Sequence, residues 1–329
     1  MAERDDEKLG ALLADVTVDD AGLFAHLGGL SGDAPKAGLT DPDEVRSPSM
    51  MTPADSDGDA SLPKDYWDER LATHPGLIGV GFIGLGKQYN DWLYRVKRAI
   101  FLRKVRSQGL DLLRSTVLDV GSGTGFFIER WKELGVRKVV GIDLADTSVA
   151  NLRRGFPDAE FHQMDIGSDV QGRWHGAFDA VSSFDVLYHI VDDEKYVTAL
   201  GNIYSFLRPG GLFIWSDNFV HTRTLRATRQ VSRSLQEIEE VLARTGFEII
   251  ERRPLFYLMN TPVDSLNPIR MLIWRLIGAA VSRSEIAGLL IGAVLYVPER
   301  VLTSLARESP TTEVMICRRP ERAVPASSS

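Results

Sequence analysis

The chain has 329 residues, of which 44% are hydrophobic and 25% charged, as in soluble globular proteins of one or two domains. Its formal charge of −7 is uneven, because residues 1–60 contain fourteen acidic and four basic side chains and the remainder is close to neutral. A neutral folded part argues against a broad nucleic-acid surface. The single cysteine, Cys317, excludes an intrachain disulfide and a cysteine-based metal site. We predict no metal site and no nucleic-acid partner.

Residues 1–60 are rich in Asp, Gly, Pro and Ser and poor in aromatic residues, which predicts a disordered, acidic N-terminal segment. A docking segment for a partner is the alternative. The chain starts with the acidic, polar sequence MAERDDEKLG, which does not have the pattern of a secretory signal and favours a cytoplasmic protein. A short disordered tail is expected at 321–329.

Residues 61–115 are expected to form a helical cover. Apolar side chains recur at near-helical spacing over Lys87–Ser107, which predicts one long helix. The basic side chains that alternate with them are Arg95, Lys97, Arg98, Arg103, Lys104 and Arg106. One interpretation is a helix that packs on a sheet with a basic outer face. The other is a lid in which Tyr89, Trp92 or Arg95 touches a ligand through cation–π contacts or paired hydrogen bonds.

The sequence VLDVGSGTGF, residues 117–126, reads as a buried strand, a glycine turn and the start of a helix. Gly121, Gly123 and Gly125 leave backbone N–H groups bare, so that a ligand can approach them closely. Asp119 lies just inside the strand end, where its carboxylate can accept a hydrogen bond from a ligand ammonium or order the turn. The dinucleotide-binding fingerprint is a rival interpretation, but it requires Gly or Ala where Phe126 stands.

Residues 116–252 alternate apolar strands with amphipathic helices, which predicts a parallel sheet with helices on both faces. The predicted strands are Val117–Val120, Lys138–Ile142, Glu160–Met164, Phe178–Ser183, Leu212–Trp215, Phe247–Glu251 and Glu313–Arg318. Asp143 follows the second strand, where an acidic group can accept from ribose hydroxyls. Asp165 follows the third strand. Ser234 and Glu237 have the spacing of a capping box that begins a helix.

Several features follow one another in a fixed order: the glycine turn, the two spaced acids, the segment FDVLYHI at 184–190, the turn LRPGG at 207–211 and the late strands. Over roughly 115–252 and the last strand they resemble the class I S-adenosylmethionine-dependent methyltransferases of the small-molecule type (methyltransferase type 11/12-like). The resemblance implies a doubly wound α/β fold with a mostly parallel, seven-stranded sheet. It places a methyltransferase domain at 116–320, with an unusual helical insertion at 254–311.

The resemblance also implies that the cofactor is S-adenosylmethionine. Asp165 matches the family position that accepts from the adenine amino group, and Ile166 would flank the ring. The predicted cofactor set is Asp119, Gly121, Ser122, Gly123, Gly125, Asp143, Leu144, Asp165, Ile166, Phe184 and, from the cover, Tyr89.

Methyl transfer from a sulfonium is an in-line displacement, so the protein mainly positions the acceptor and excludes water. A general base helps when the acceptor is a hydroxyl group, and O-methylation is the reaction we expect. The candidate bases are His189 and His221, expected near the ends of the fourth and fifth strands, with Asp185 as a further candidate. A histidine at 189 can equally be structural, packed against the cofactor loop.

Three residues are expected to contact the acceptor. Tyr188 follows the fourth strand, and Arg226 and Arg229 belong to an arginine-rich loop that suits an anionic or lipid-linked small molecule. A solvated basic surface is the alternative for the loop. Methyltransferases of nucleic-acid base amino groups carry a Pro-Pro pair after the fourth strand, and Ser183–Tyr188 contains no proline. A nucleotide-cofactor oxidoreductase and a non-catalytic cofactor-binding scaffold remain alternative functions.

The insertion at 254–311 contains Ile286–Val297, twelve uncharged and mostly apolar residues. That run is too short to span a bilayer, which needs about twenty residues. The neighbouring apolar sequence carries Arg270, Arg275 and Arg283. Helices packed on the domain, a homodimer interface, a substrate cover and a peripheral membrane surface are the alternatives.

Overall fold

The computed structural model describes residues 63–170 and 172–321. The predictions for residues 1–60 lie outside the described residues, as does the tail beyond Glu321. The strands are β1 (Thr116–Val120), β2 (Lys138–Asp143), β3 (Glu160–Gln163), β4 (Phe178–Ser183), β5 (Leu207–Asp217), β6 (Leu225–Arg226), β7 (Val231–Ser232), β8 (Glu248–Pro254) and β9 (Glu313–Arg318).

Seven of the strands in the described residues form one sheet, in the order β3-β2-β1-β4-β5-β9-β8, and β6 pairs with β7 in a short hairpin. Strands β1 to β5 are parallel to their neighbours, whereas β9 runs antiparallel to both β5 and β8. The predicted seven-stranded, mostly parallel sheet is therefore confirmed. The strand order reverses between β1 and β4, and ligands of such sheets bind outside the carboxyl ends of the strands at this switch point.

The helices are α1 (Pro63–Thr73), α2 (Leu77–Val80), α3 (Gly86–Arg106), α4 (Phe126–Glu133), α5 (Asp146–Gly155), α6 (Asp193–Phe206), α7 (Leu235–Thr245), α8 (Pro268–Val281) and α9 (Glu285–Leu305). One apolar cluster joins the sheet to α3, α4, α5 and α9, and a second joins the opposite face to α6 and α7. Every residue of β1 is buried, because helices cover the sheet on both sides. The capping box predicted at Ser234 is present at the start of α7.

Helices α8 and α9 form a hairpin within the predicted insertion, and α9 packs along α3. Two glycines allow this close packing. A Cβ atom on Gly292 would lie 2.1 Å from Cδ1 of Trp92, and one on Gly288 would lie 3.2 Å from the backbone nitrogen of Tyr89. The rings of Trp92 and Tyr296 follow at 5.3 Å. One face of α9 is therefore devoted to α3.

Strand β5 begins earlier than the sequence predicts. The predicted turn at 207–211 lies inside β5, since Gly210 donates its N–H to the carbonyl of Arg319 and Gly211 accepts from the amide of Arg319. Gly210 keeps a positive φ of 81°, which suits the glycine at that position. Residues 210 and 211 are therefore paired with the chain just after β9, and the turn that the sequence predicts there is part of the strand.

Candidate functional site

A cavity opens at the carboxyl ends of β1 to β4, at the point where the strand order reverses. Its floor is the glycine turn after β1 and the residues that follow β2, β3 and β4. Its cover comes from α1, α2 and α3, which contribute Trp67, Leu71, Val80 and Tyr94. The sequence predicts a cofactor site at this edge of the sheet and a lid as one of two interpretations of the cover. The lid residues that it names, Tyr89, Trp92 and Arg95, are not among those that line the cavity.

The cover is fixed to the domain by polar contacts. Asp68 of α1 accepts a hydrogen bond from the amide of Thr147 at the start of α5, at 2.8 Å. Arg70 donates to the carbonyls of Gly79 and Gly81, at 2.8 and 2.6 Å, and so connects α1 to α2. These bonds hold the cover helices beside the cavity.

The turn after β1 requires glycine for geometric reasons. Gly121, Gly123 and Gly125 have φ values of 72°, 52° and 87°, a left-handed region that favours glycine. A Cβ on Gly121 would lie 2.3 Å from Val186, and one on Gly123 would lie 2.8 Å from Val80. Gly121, Ser122 and Gly123 line the cavity. Gly125 does not line it, because it begins α4 and packs against the ring of Phe156.

Asp143 is fixed at the end of β2 by backbone amides. Gly123 donates its N–H to Oδ2 at 2.7 Å, and Ala145 donates to Oδ1 at 2.9 Å. Burial raises the pKa of Asp143, and these amide bonds act in the opposite direction. The carboxylate therefore lies on the cavity wall in a set orientation, beside Leu144.

The residues after β3 extend the same wall. Asp165 accepts from the amide of Gly167 at 2.9 Å and from the hydroxyl of Ser168 at 3.0 Å. Met164 and Ile166 lie on either side of it in the chain, and all three residues line the cavity. The wall thus places a carboxylate between two apolar side chains, which is the chemistry that an adenine ring with an exocyclic amine requires.

Asp119 lies beneath the turn and not on the cavity wall, and it is 1% exposed. Its Oδ1 accepts from the hydroxyl of Ser182 at 2.6 Å, and the indole N–H of Trp131 donates to that hydroxyl at 2.8 Å. Its Oδ2 is buried and has no hydrogen-bond partner. Burial raises the pKa of Asp119 to about 7. A buried acceptor without a donor is an unusual feature that a cationic ligand group would satisfy.

The other end of the cavity is aromatic. Phe126, Phe127, Phe184, Tyr94 and Trp67 line it. Phe127 stacks on Phe184 with ring centroids 4.3 Å apart, and Tyr94 meets the edge of Phe126 at 4.8 Å. The cavity therefore has carboxylates, Asp143 and Asp165, at the ends of β2 and β3 and an aromatic end under the cover.

An ion pair connects the cover to the floor at this aromatic end. Lys97 of α3 is 3% exposed, and its Nζ lies 2.5 Å from Oδ2 of Asp185, which lines the cavity. Asp185 has a positive φ of 59° and exchanges hydrogen bonds with Ser216, through its amide and through Oδ1, both at 2.9 Å. The prediction that Lys97 belongs to a basic outer face is wrong, because the side chain points inward. A signal was present in the sequence, since Lys97 follows the apolar residues Leu93 and Tyr94 at helical spacing.

His189 lies on the cavity wall, in a 3₁₀ turn at 187–189. Its ring meets the edge of Trp67 at 5.0 Å and the ring of Tyr188 at 4.5 Å. Its Nδ1 lies 3.1 Å from the carbonyl oxygen of Arg229. Because a carbonyl only accepts, this bond places the ring proton on Nδ1 and makes Nε2 the basic nitrogen.

Besides Asp119 and Gly125, five of the predicted site residues do not reach the cavity wall, which are Tyr89, Tyr188, His221, Arg226 and Arg229. Tyr89 is fully buried and donates to the carbonyl of Met259, so the expectation that it touches the cofactor is corrected. Tyr188 packs on the ring of His189 and does not itself line the cavity.

The other three have partners of their own. His221 pairs with Asp264, with Nδ1 and Oδ2 at 2.5 Å. Arg226 pairs with Asp193, and the guanidinium of Arg229 lies 4.3 Å from the ring centroid of Tyr66. The arginine-rich loop is thus engaged in contacts of the protein itself.

The cavity fits the predicted cofactor on features of the chain itself. The fixed carboxylate of Asp143 on the wall and the unpartnered Oδ2 of Asp119 beneath the turn suit a nucleoside that carries hydroxyl and ammonium groups. The expectation that the glycine turn leaves its N–H groups bare is wrong, because Gly121 and Ser122 donate to the carbonyl of Ile142 and Gly123 donates to Asp143.

Comparison with known proteins supports the same family. A family model described as a methyltransferase domain matches residues 117–211, which include the glycine turn, Asp143 and Asp165. The chain is 27% identical over 178 residues to a dTDP-3-amino-3,4,6-trideoxy-alpha-D-glucopyranose N,N-dimethyltransferase of Streptomyces venezuelae, which covers 50% of this chain and 70% of that protein. It is 34% identical over 99 residues to a tRNA U34 carboxymethyltransferase of Pseudoalteromonas translucida, covering 29% of this chain and 30% of that protein.

Among solved structures, magnesium protoporphyrin IX methyltransferase from Synechocystis PCC 6803 aligns with 80% of this chain and all of that chain, at 15% identity and a TM-score of 0.48. The matched family model covers the strands and turns that build the floor of the cavity. Residues 117–211 therefore form a methyltransferase domain of the class I S-adenosylmethionine-dependent type, and S-adenosylmethionine is its cofactor.

Proposed function

We propose that the protein methylates a hydroxyl group of a small, flat and largely apolar acceptor, with His189 as the general base. The position of His189 carries this proposal: it lies on the wall of the cavity near Trp67, and a backbone carbonyl orients its ring. The aromatic end of the cavity supports an acceptor with an apolar, ring-shaped body.

S-adenosylmethionine, when bound, supplies a methyl group that is already activated on a sulfonium. The chain positions the cofactor and the acceptor, supplies charged groups that bind the cofactor, and excludes water. The carboxylate of Asp143 would accept from the hydroxyl groups of the nucleoside, and the unpartnered Oδ2 of Asp119, beneath the turn, would accept from the ammonium group. Phe126, Phe184 and the cover helices exclude water from the reacting groups.

The remaining requirement is a proton acceptor for the hydroxyl group. Nε2 of His189 is the basic nitrogen of that ring, and an imidazole changes charge near neutral pH. Asp185 lines the same end, but its side chain is paired with Lys97, so we assign it a positioning role.

The acceptor is not expected to be held by Arg226 or Arg229, because their side chains have partners within the protein. The arginine-rich loop therefore gives no reason to expect an anionic acceptor. The names of the relatives point to different acceptors, an amino sugar nucleotide in one case and tRNA in another. Methyl transfer to an amine or to RNA must therefore be compared with methyl transfer to a hydroxyl group.

The test uses the purified full-length chain with isotope-labelled S-adenosylmethionine and three sets of acceptors: hydroxylated aromatic compounds, amino sugar nucleotides and total RNA. We expect release of S-adenosylhomocysteine with the first set, and mass spectrometry should locate the label on oxygen. Label on nitrogen or in RNA would contradict the proposal. Cofactor binding without release of product from any set would favour a non-catalytic scaffold.

A further inference from the structure

The helical hairpin α8–α9 exposes an apolar surface, which we call the outer face. It consists of Ile269, Leu272, Ile273 and Leu276 of α8 and Ile286, Leu290, Val294 and Val297 of α9. These eight side chains are between 42% and 74% exposed. On α8 they occupy positions i, i+3, i+4 and i+7, and on α9 successive ones are three or four residues apart, so they lie along one side of each helix.

The outer face cannot turn inward, because the opposite side of α9 is fixed to the domain. Gly288 and Gly292 pack against α3. Glu299 is buried and accepts hydrogen bonds from the backbone amides of three consecutive residues, 257–259. By length and composition α9 is the one helix of the described residues that could cross a membrane. Because it lies against α3 with Glu299 and Arg300 buried, it runs along the surface of the domain instead.

The exposed charges around the outer face are mostly positive. Of the two acidic residues of 266–307, Glu299 is buried, and Glu285 is exposed with its carboxylate accepting from the amides of Lys87 and Gln88. Three arginines are exposed, which are Arg275 on α8, Arg283 between the helices and Arg307 after α9. The apolar surface therefore has a positively charged border.

We propose that the outer face docks on the surface of a lipid bilayer that contains anionic lipids. The aliphatic side chains would enter the boundary between headgroups and acyl chains, and the arginines would meet the lipid phosphates. The border charge favours this occupant over a second copy of the chain, because two outer faces would bring their arginines together. The inference is independent of the proposed acceptor, since docking does not require methyl transfer.

The experiment is co-sedimentation of the full-length chain with vesicles of phosphatidylcholine alone or of phosphatidylcholine mixed with phosphatidylglycerol, at low and at physiological salt. We expect binding to the anionic vesicles that weakens with salt. The double variant Leu290→Gln/Val294→Gln should lower the partition coefficient by at least about tenfold, a change that corresponds to about 1.4 kcal/mol. The matched control is Leu113→Gln, a leucine that is 76% exposed outside the hairpin, and it should bind as the parent does.

A second pair of variants tests the charged border. Arg275→Gln/Arg283→Gln should reduce binding to anionic vesicles, whereas Arg244→Gln, at an exposed arginine of α7, should not. Circular dichroism identifies any variant that fails to fold. If Leu290→Gln/Val294→Gln fails to fold, Ile273→Gln/Leu276→Gln on α8 replaces it.

Three results would overturn the proposal. First, the parent chain could stay in the supernatant with anionic vesicles. That result would overturn the proposal even if its cause were that a second copy, or the acidic residues 1–60, covered the face. The outer-face variants could bind as well as the parent. Light scattering could reveal a dimer that Leu290→Gln/Val294→Gln dissociates, which would assign the face to a second copy.

Discussion

Replacing Asp119 by asparagine should stabilise the ligand-free protein and weaken cofactor binding at the same time. The carboxyl group is buried, its Oδ2 has no partner, and burial raises its pKa from 3.8 to about 7. Since each pKa unit corresponds to about 1.4 kcal/mol, ionised Asp119 costs the fold on the order of 4 kcal/mol. The folded chain holds this proton more tightly than the unfolded chain, so the free energy of unfolding falls as pH rises from 3.8 to about 7.

Asparagine keeps the oxygen that accepts from Ser182 and removes the charge. We expect the free energy of unfolding of Asp119→Asn to exceed that of the parent by up to about 4 kcal/mol at about pH 8, and the difference to shrink toward about pH 5. Urea denaturation followed by tryptophan fluorescence, without ligand, measures it. In calorimetry, the dissociation constant for S-adenosylmethionine should rise about ten- to a hundredfold, because a charge-assisted hydrogen bond is worth about 1.5–3 kcal/mol.

The matched control is Asp111→Asn, an exposed aspartate in the segment before β1, which should change neither quantity. A stability difference that is the same at both pH values would refute the reasoning about the unpaired charge. An unchanged dissociation constant would refute the role of Asp119 toward the ammonium group.

Three further predictions concern packing, the buried ion pair and the base. Gly292→Ala should destabilise the protein by about 1–3 kcal/mol, because its Cβ would lie 2.1 Å from Trp92; Gly278→Ala, where a Cβ meets nothing within 4 Å, should raise the melting temperature slightly. Lys97→Met should lower the free energy of unfolding by up to about 3–5 kcal/mol, since Asp185 loses its buried partner. The double variant Lys97→Met/Asp185→Asn should recover part of that loss in a double-mutant cycle measured by denaturation. Strictly additive losses would contradict the pairing. His189→Gln should lower kcat at least about a hundredfold with little change in cofactor affinity, whereas His221→Gln, outside the cavity, should turn over as the parent does; equal losses in both would contradict the assignment.

The strands, the glycine turn and the carboxylates after β2 and β3 could be predicted from sequence because each depends on short-range patterns. A buried apolar run, a glycine that needs a positive φ and an acid at a strand end are all visible within a few residues. Asp143 and Asp165 reach the same cavity because parallel strands end at one edge of the sheet.

The parts that sequence reasoning missed depend on distant partners. Helical spacing places Tyr89 on the apolar side of α3, but its packing partners are α9 and the loop that holds Met259. Lys97 has the same charge as its half-buried neighbours Arg95 and Arg98, and its own burial depends on the nearby Asp185 and on the ring of Tyr94. Arg226 and Arg229 have the sequence pattern of a binding loop, but Arg226 pairs with Asp193 and Arg229 lies over the ring of Tyr66, and neither partner is near them in the sequence.

The hairpin α8–α9 begins and ends at neighbouring points of the sheet, because Pro254 of β8 is paired with Glu313 of β9. In topological terms, residues 255–312 are a single loop between two adjacent strands. The entropy of closing such a loop changes slowly with its length. The segment could therefore be exchanged for a short turn, or for another helical hairpin, without altering the register of either strand, and the cost would fall on α3, whose Trp92 side would then be left bare.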